Sequence, residues 1–146
     1  MAQDNSSNKV EVKKVYYISG ALWWETPYVN GKKQGIERCY YESGALMAET
    51  PCVKGKMHGI AKDYYESGAL WREIPYVNGG RNGIERGYYE SGALMAETPC
   101  VNGKKHGVEK HYDKDNLNIN CLTIYKMNRE ILTICLESCG TVSTKS

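Results

Sequence analysis

The sequence contains no phenylalanine and only four prolines among 146 residues. No apolar run approaches the roughly 20 residues that a membrane-spanning helix requires. Lys and Arg number 19 against 17 acidic residues, and a net charge of +2 excludes the strong single-sign field of a protein that coats nucleic acid. The first eight residues are polar and include Asp4, which is untypical of a secretory signal. We therefore expect a cytoplasmic protein.

Tyrosine and glycine are abundant instead, with twelve and fifteen residues. A Tyr-Tyr doublet begins at residues 16, 40, 64 and 88, a period of 24, and Tyr112 keeps the phase. Three glycine columns (20/44/68/92, 31/55/79/103 and 35/59/83/107), a glutamate column (25/49/73/97) and a proline column (27/51/75/99) follow the same period. Such self-similarity is the signature of a repeat architecture, here with four full repeats over 16–111.

A second period of 48 lies over the first. Repeats one and three carry Trp23 and Trp71 where repeats two and four carry Met47 and Met95. Repeats two and four differ at only five of 24 positions, namely 54/102, 57/105, 60/108, 61/109 and 63/111. The chemistry of the array is therefore repeated rather than concentrated, which argues against an enzyme.

Each repeat is predicted to form one β-hairpin. Residues 35–41 alternate in strand fashion, Ser43-Gly44 marks a short turn, and Ala45 to Val53 forms the second strand. Pro51 should lie near a strand end or a bulge. Gly and Pro at intervals of about eight to twelve residues disfavour helices. The predicted fold is all-β: tandem 24-residue hairpins in an elongated, curled antiparallel single-layer sheet. One face of it is expected to carry the recurrent Leu, Ile and first Tyr side chains.

The ends of the array are expected to differ from its middle. We predict a disordered segment over 1–9, the repeat array over 10–111, a degenerate repeat and cap over 112–140, and a tail over 141–146. A cap is expected because an open sheet edge needs a cover. Periodicity leaves open whether 131–139 is strand or helix.

The recurring pattern Tyr-Tyr-Glu-Ser-Gly-Ala-Leu followed by Glu-Thr-Pro-Cys-Val-Asn-Gly-Lys-Lys-His-Gly resembles the MORN repeat variant, and most of all bacterial YwqK-family antitoxins of toxin–antitoxin systems. The resemblance covers about 16–113. Its His-Gly element is His58-Gly59 and His106-Gly107, and it becomes Gln34-Gly35 and Asn82-Gly83 in the other repeats. The resemblance implies tandem β-hairpins and a binding or scaffold role, with some MORN proteins linked to lipids and others to protein assembly.

Aromatic side chains are the first candidates for partner binding, because Trp and Tyr are typical interface anchors. The set comprises Trp23, Trp24, Trp71, Tyr28 and Tyr76, and Arg72 shares the column of Trp24. The alternative is packing within the sheet, expected for Trp23 and Trp71 because Met replaces them. Trp24 stands in a column with Ala48, Arg72 and Ala96, so we expect it to be exposed.

Two sets of charged residues are further candidates for a functional site. The glutamate column could supply catalytic carboxylates, but cross-strand pairing with Arg38, Lys62, Arg86 and Lys110 is favoured. Lysines near the turns could bind anionic lipid or nucleic acid, although neighbouring acids favour a solvated rim. This basic turn edge comprises Lys32, Lys33, Lys56, Arg81, Lys104 and Lys105.

Six cysteines (39, 52, 100, 121, 135 and 139) are expected to stay reduced in a cytoplasmic chain. Cys52 and Cys100 share the column of Tyr28 and are predicted to be small packing residues. A zinc site among Cys121, Cys135, Cys139 and His111 lacks the usual ligand spacing. A Cys/His nucleophile lacks an orienting group near His58, His106 or His111. We expect no cofactor and no metal.

The sequence therefore favours a non-enzymatic protein that binds a protein partner, a toxin or a defence effector, and neutralises it by occlusion as an antitoxin does. One alternative is a phage- or mobile-element-encoded inhibitor of a bacterial defence nuclease, resembling an anti-CRISPR protein. Another is a scaffold that binds membrane or nucleic acid through its Lys-rich turns. The oligomeric state stays open.

Overall fold

A computed structural model describes residues 9–136 and 142–145, and it is all-β over these residues. Twelve strands of four to eight residues carry the fold, and four two-residue strands follow the tight turns. The first eight strands are β1 (Val10–Tyr16), β2 (Leu22–Val29), β3 (Lys32–Lys33), β4 (Gly35–Tyr40), β5 (Leu46–Val53), β6 (Lys56–Met57), β7 (Gly59–Tyr64) and β8 (Leu70–Val77). The others are β9 (Gly80–Arg81), β10 (Gly83–Tyr88), β11 (Leu94–Val101), β12 (Lys104–Lys105), β13 (Gly107–Tyr112), β14 (Ile119–Lys126), β15 (Arg129–Leu136) and β16 (Val142–Lys145).

All these strands form one antiparallel sheet in the order β1-β2-β4-β5-β7-β8-β10-β11-β13-β14-β15-β16. The short strands β3, β6, β9 and β12 pair with the strands that precede them. Every long strand thus lies beside its predecessor in sequence. This meander of tandem hairpins confirms the predicted all-β repeat array.

Two turn types alternate along the ribbon. The turn at Asn30-Gly31 has φ values of 50° and 75°, the two positive values that a two-residue type I′ hairpin requires. Its equivalents fall at 54–55, 78–79, 102–103 and 127–128. Four of the other turns contain Ser-Gly-Ala, and the strand pair beside each of them has a β-bulge, as between Cys39 and Tyr40.

The proline and the last glycine column act together. Gly59 has a φ of 113°, and a Cβ added there would lie 3.1 Å from Cγ of Pro51. Pro51 stands where the ladder between β5 and its next neighbour is interrupted, since Cys52 pairs with Met57 but Glu49 pairs with Lys62. Pro has no N–H to donate there, and Pro51 lies two residues before the end of β5, as the prediction of a position near a strand end or a bulge requires.

The second tyrosine of each doublet joins one repeat to the next. The hydroxyl of Tyr41 donates a hydrogen bond of 2.8 Å to the main-chain carbonyl of Tyr64, which is the first tyrosine of the following doublet. The same contact joins Tyr17 to Tyr40, Tyr65 to Tyr88 and Tyr89 to Tyr112. Four equivalent bonds therefore connect the hairpins, which explains why the doublet recurs every 24 residues.

The first tyrosine of each doublet meets the glutamate column. The hydroxyl of Tyr40 donates to Oε1 of Glu25 at 2.8 Å, and Tyr64, Tyr88 and Tyr112 reach Glu49, Glu73 and Glu97 in the same way. Arg38 donates to Glu49 at 3.0 Å, and the equivalent pairs are Lys62–Glu73 and Arg86–Glu97. The predicted cross-strand pairing is confirmed at these three cations, and the register places Lys110 opposite Glu97.

Burial is confined to one face of the sheet. The buried hydrophobic residues are small or of moderate size: Cys39, Cys52, Ala61, Ile74 and Cys100. Cys52 and Cys100 are only 4% and 2% exposed, which confirms them as packing residues. The face that carries Ile36 and Tyr40 does hold the predicted recurrent aliphatic side chains, but Ile36, Ile60 and Ile84 are 42–55% exposed. The recurrent isoleucines therefore do not form a core.

The C-terminal region continues the sheet and corrects one expectation. β14 and β15 extend the meander as strands, so Arg129–Leu136 is not helical. Their register sets Cys121 directly opposite Cys135, and the two form a disulfide. The expectation that all cysteines are reduced is wrong for this pair, because the turn at Met127-Asn128 fixes a register that the sequence did not reveal.

The outer segments fall partly outside the described residues. Val142–Lys145, which belongs to the tail predicted over 141–146, forms the strand β16 and pairs with β15. The predicted disordered segment over 1–9 lies outside the described residues except for Lys9, and so does Cys139.

We predict that Tyr65→Phe lowers the free energy of unfolding by about 1 kcal/mol, because it removes the hydroxyl that bonds the carbonyl of Tyr88 while keeping the ring. Equilibrium urea denaturation measures the change. Tyr16→Phe, at a ring that is 56% exposed, is the matched control and should alter stability much less. Equal losses in the two variants would contradict the role of the inter-repeat bond.

Candidate functional site

One face of the sheet carries the predicted aromatic residues, and we call it the indole face. Directly opposed residues share a face, and the pairs Trp24–Cys39, Cys39–Ala48, Ala48–Asp63 and Asp63–Arg72 follow one another across the ribbon. The buried small residues described above lie here too. The opposite face, which carries the isoleucines and the glutamate column, is called the aliphatic face.

The two neighbouring tryptophans of repeat one differ from expectation. Trp23 is 42% exposed and its counterpart Trp71 is 38% exposed, so they are not packed like core residues. Trp24 is only partly exposed, and its indole N–H donates to Oγ1 of Thr26 at 2.7 Å. Packing as core residues, the alternative favoured for Trp23 and Trp71, is therefore wrong, and Trp24 is less exposed than predicted. The reason is the β-bulge, which turns residue 23 outward on the same face as residue 24.

Each exposed indole rests on the second tyrosine of a doublet. The rings of Trp23 and Tyr17 lie 5.8 Å apart, and those of Trp71 and Tyr65 lie 6.1 Å apart. These are favourable separations for tilted aromatic pairs. The tyrosine hydroxyls are in turn bonded to main-chain carbonyls. The indoles are thus held by residues that also connect the repeats.

Arg72 forms the most strongly tethered cation of the indole face. Its guanidinium lies 4.4 Å from the ring centre of Trp71 and donates to Oδ2 of Asp63 at 2.6 Å. A second nitrogen lies 3.7 Å from Glu85. The predicted pair Trp71 and Arg72 is therefore brought together as one ordered group, with Tyr76 further along the same strand.

A second set of ion pairs follows the strands near the type I′ turns. Lys33, Arg81 and Lys105 each bond the acid four residues later, namely Glu37, Glu85 and Glu109. Sequence reasoning missed these acids. A signal was present, because repeat two loses both members together and has Met57 and Ala61 at these positions.

The predicted basic turn edge is divided between the two faces. Lys33 and Arg81 pair across the turn with Tyr28 and Tyr76, and Lys105 pairs with Cys100, so all three lie on the indole face. Lys32, Lys56 and Lys104 pair with valines and lie on the aliphatic face. Three of the six cations are therefore neutralised by neighbouring acids on the indole face. The other three lie on the opposite face of the sheet.

Glu109 has the most perturbed environment. It is 6% exposed and accepts from Thr98 at 2.7 Å and from Lys105 at 2.8 Å, while His111 Nε2 lies 3.5 Å away. Hydrogen bonding to His111, Lys105 and Thr98 lowers the pKa of Glu109 from 4.5 to about 2, against the opposing effect of burial. The carboxylate is thus ionised and fully engaged, which suits a structural role.

The His-Gly element has a structural explanation. The side chain of Gln34 accepts from the main-chain N–H of Lys54 at 2.9 Å, and Nδ1 of His58 accepts from that of Asn78 at 3.4 Å. In these two repeats the position therefore supplies an acceptor to the turn of the next repeat, and both Gln and His can do so. The equivalent His106 does not, since its Nδ1 is buried without a hydrogen-bond partner.

Reactive and metal-binding groups do not cluster in the described part of the chain. Over residues 9–136, no three His, Cys, Asp or Glu side chains come together as potential metal ligands. Burial raises the pKa of the free thiols of Cys39, Cys52 and Cys100. Within the same residues, no helix is long and apolar enough to span a membrane.

Three segments of the chain, residues 33–51, 57–78 and 81–102, match the family model of the MORN repeat variant. The resemblance of the sequence pattern to MORN repeats is therefore supported over these three segments. Such repeats generally bind proteins or membranes and are generally non-catalytic. No curated protein matches the chain.

We predict that Glu109→Gln reduces stability at neutral pH by roughly 2–3 kcal/mol, and that the difference from wild type shrinks as pH falls. The folded-state pKa is lowered, so the stabilisation is fully present above the unfolded-state pKa and disappears between about pH 5 and pH 2. Urea denaturation at several pH values measures it. Glu66→Gln, in an exposed turn, is the control, and parallel pH curves for wild type and Glu109→Gln would refute the assignment.

Proposed function

We propose that this chain is a non-enzymatic binding protein that neutralises a protein partner by covering part of its surface, as an antitoxin does. The observation that carries the proposal is the pair of exposed, tethered indoles at Trp23 and Trp71 on one face. Trp and Arg are the residues most enriched among interface hot spots, and Arg72 stands beside the second indole.

The spacing of the indoles supports contact with an extended partner surface. Trp23 and Trp71 belong to β2 and β8, which are four strand steps apart in the sheet, so the rings lie about 19 Å from each other. At the equivalent positions the intervening repeat has Met47, Ala48 and the buried Cys52, which are smaller or more flexible. The indoles of Trp23 and Trp71 therefore project on either side of a flatter strip of the sheet. This strip is about as wide as a helix with its side chains or as a pair of strands.

Preorganisation favours this face over a flexible patch. The tyrosines beneath the indoles and the ion pairs of Arg72 fix the side chains before any partner arrives. Fixed side chains lose little conformational entropy on binding, so more of the contact energy remains for affinity.

The alternative of a nucleic-acid or anionic-lipid scaffold has less support. It depends on the basic turn edge, and Lys33, Arg81 and Lys105 of that edge are paired with acids on the indole face. A cation that is already paired with an acid neutralises a phosphate poorly. It therefore releases few counterions from the nucleic acid and adds little to the affinity. Of the three remaining lysines, Lys32 and Lys56 lie about 10 Å apart along the ribbon, and Lys104 lies about 20 Å beyond Lys56 because repeat three has Gly80 at this position.

Capture from the native host with the full chain as bait tests the proposal. We expect wild type to retain one dominant protein whose activity falls as the chain is added up to a fixed stoichiometry. Trp71→Ala combined with Arg72→Ala should weaken that complex at least about 100-fold, as expected for two hot-spot residues. Ile18→Ala, at a fully exposed turn residue, is the matched control and should leave affinity unchanged.

Salt dependence separates the alternatives. Affinity for a protein bound through aromatic contacts should change little between low and high salt, whereas binding to nucleic acid or anionic vesicles should fall steeply. A steep fall, or a complex that ignores the double substitution, would overturn the proposal. So would a captured protein whose activity is unaffected by the chain.

A further inference from the structure

The aliphatic face carries a continuous apolar band that nothing in the described chain covers. We define the band by its exposed branched side chains, which are 36–70% exposed. They are Val10, Val12, Ile36, Val53, Ile60, Val77, Ile84, Val101, Val108 and Ile124. Pro27, Pro51, Pro75 and Pro99 stand opposite Val12, Ile36, Ile60 and Ile84 on the same face. Monomeric proteins rarely expose contiguous apolar surface on this scale.

From these observations we infer that the aliphatic face is the interface between two copies of this chain, which pack face to face as the two layers of a β-sandwich. The inference concerns the face opposite to the indoles and does not rest on the identity of any other partner. A sheet with one apolar face is stable when a second layer covers that face, and sheets stack about 10 Å apart.

The area of the band matches what a specific interface requires. Ten long strands from β1 to β14 carry it, so nine strand spacings give a length of roughly 43 Å. The isoleucine and valine rows lie two residues apart along a strand, which gives a width of roughly 14 Å with side chains. Each copy then covers roughly 600 Å², and the pair reaches the 1,000 Å² or more expected of a biological interface.

The surface shape of the band favours a second copy of this chain as its binding partner. Isoleucines project once per repeat, and between Ile60 and Ile84 lies a depression with Pro75 and Gly83 at its floor and Glu73 and Arg86 on one side. Gly83 has no side chain, and an added Cβ would lie 3.0 Å from Pro75. The same close contact between proline and glycine recurs at 27/35, 51/59 and 99/107, so the relief repeats with a spacing of about 10 Å. A second copy has the same spacing by construction, so its isoleucines can enter these depressions along the whole band.

Lys32, Lys56 and Lys104 stand at one rim of the band, opposite the valines, and a charged row that includes the glutamate column stands at the other. The row with the glutamates does not oppose self-association. It alternates in sign along the ribbon, and Glu25, Glu49, Glu73 and Glu97 are each engaged by an arginine or lysine of the same chain. Such a row presents little net field to an identical row. A two-fold axis makes the interface self-complementary, so two copies suffice to cover both bands.

Sedimentation velocity of the full chain tests the inference, over concentrations up to roughly 0.5 mM. We expect wild type to be dimeric, with a dissociation constant in roughly the micromolar range. Ile60→Lys combined with Ile84→Lys should raise that constant at least about 100-fold, because it places unpaired charges in the apolar interface. Val15→Lys with Ile18→Lys changes two exposed aliphatic residues outside the band and should leave the dimer intact.

A measurement on wild type guards against misfolding of the variants. Methyl NMR with a soluble nitroxide should show Ile36, Ile60 and Ile84 protected from broadening at high concentration and broadened on dilution, while Ile18 stays broadened throughout. A wild-type chain that is monomeric across the range would overturn the inference. So would a dimer that persists in Ile60→Lys/Ile84→Lys, or band methyls that are as broadened as Ile18 at high concentration.

Discussion

The sheet is one layer thick over its described residues, and every hairpin must be stabilised from its sides. The hydrogen bond from the second tyrosine of each doublet to the next repeat provides such stabilisation between neighbouring hairpins. It spans 23 residues in sequence, lies between two hairpins rather than within one, and is repeated four times. A lone hairpin is marginal in water, so such lateral contacts decide whether the array folds at all.

The same constraint explains the composition. A single layer has no enclosed interior, and no large side chain is fully buried among the described residues. Small residues such as Cys52 and Ala61 suffice beneath the larger side chains of the indole face, whereas a phenylalanine would find no enclosed pocket. Tyrosine can replace it, because its ring packs against a neighbour while its hydroxyl bonds a glutamate or a carbonyl. The absence of phenylalanine and the twelve tyrosines are therefore two aspects of one architecture.

The sequence could predict those features that repeat. The 24-residue period, the hairpins, the position of Pro51 and the pairing of Glu49 with Arg38 all follow from local chemistry that recurs in phase. The exposure of Trp23 and Ile36 could not be predicted in the same way. Alternation tells which residues share a face, but it does not tell whether that face is covered. The partial burial of Trp24 depends on a bulge whose geometry only the assembled strands define, and the Cys121–Cys135 disulfide depends on the register of a degenerate hairpin.

The two faces of the sheet carry different kinds of side chain, and this difference suits them to different interfaces. Trp71 and Arg72 are rigid, amphipathic and tethered by polar contacts, which suits an interface that forms with a separate protein. Isoleucine and valine have no polar atoms to satisfy in water or in a partner, which suits an interface that stays closed. If the aliphatic faces of two chains meet, their indole faces point outward in opposite directions. Two partner molecules could then be bound by one dimer without contact between them, and neither face would have to serve both functions.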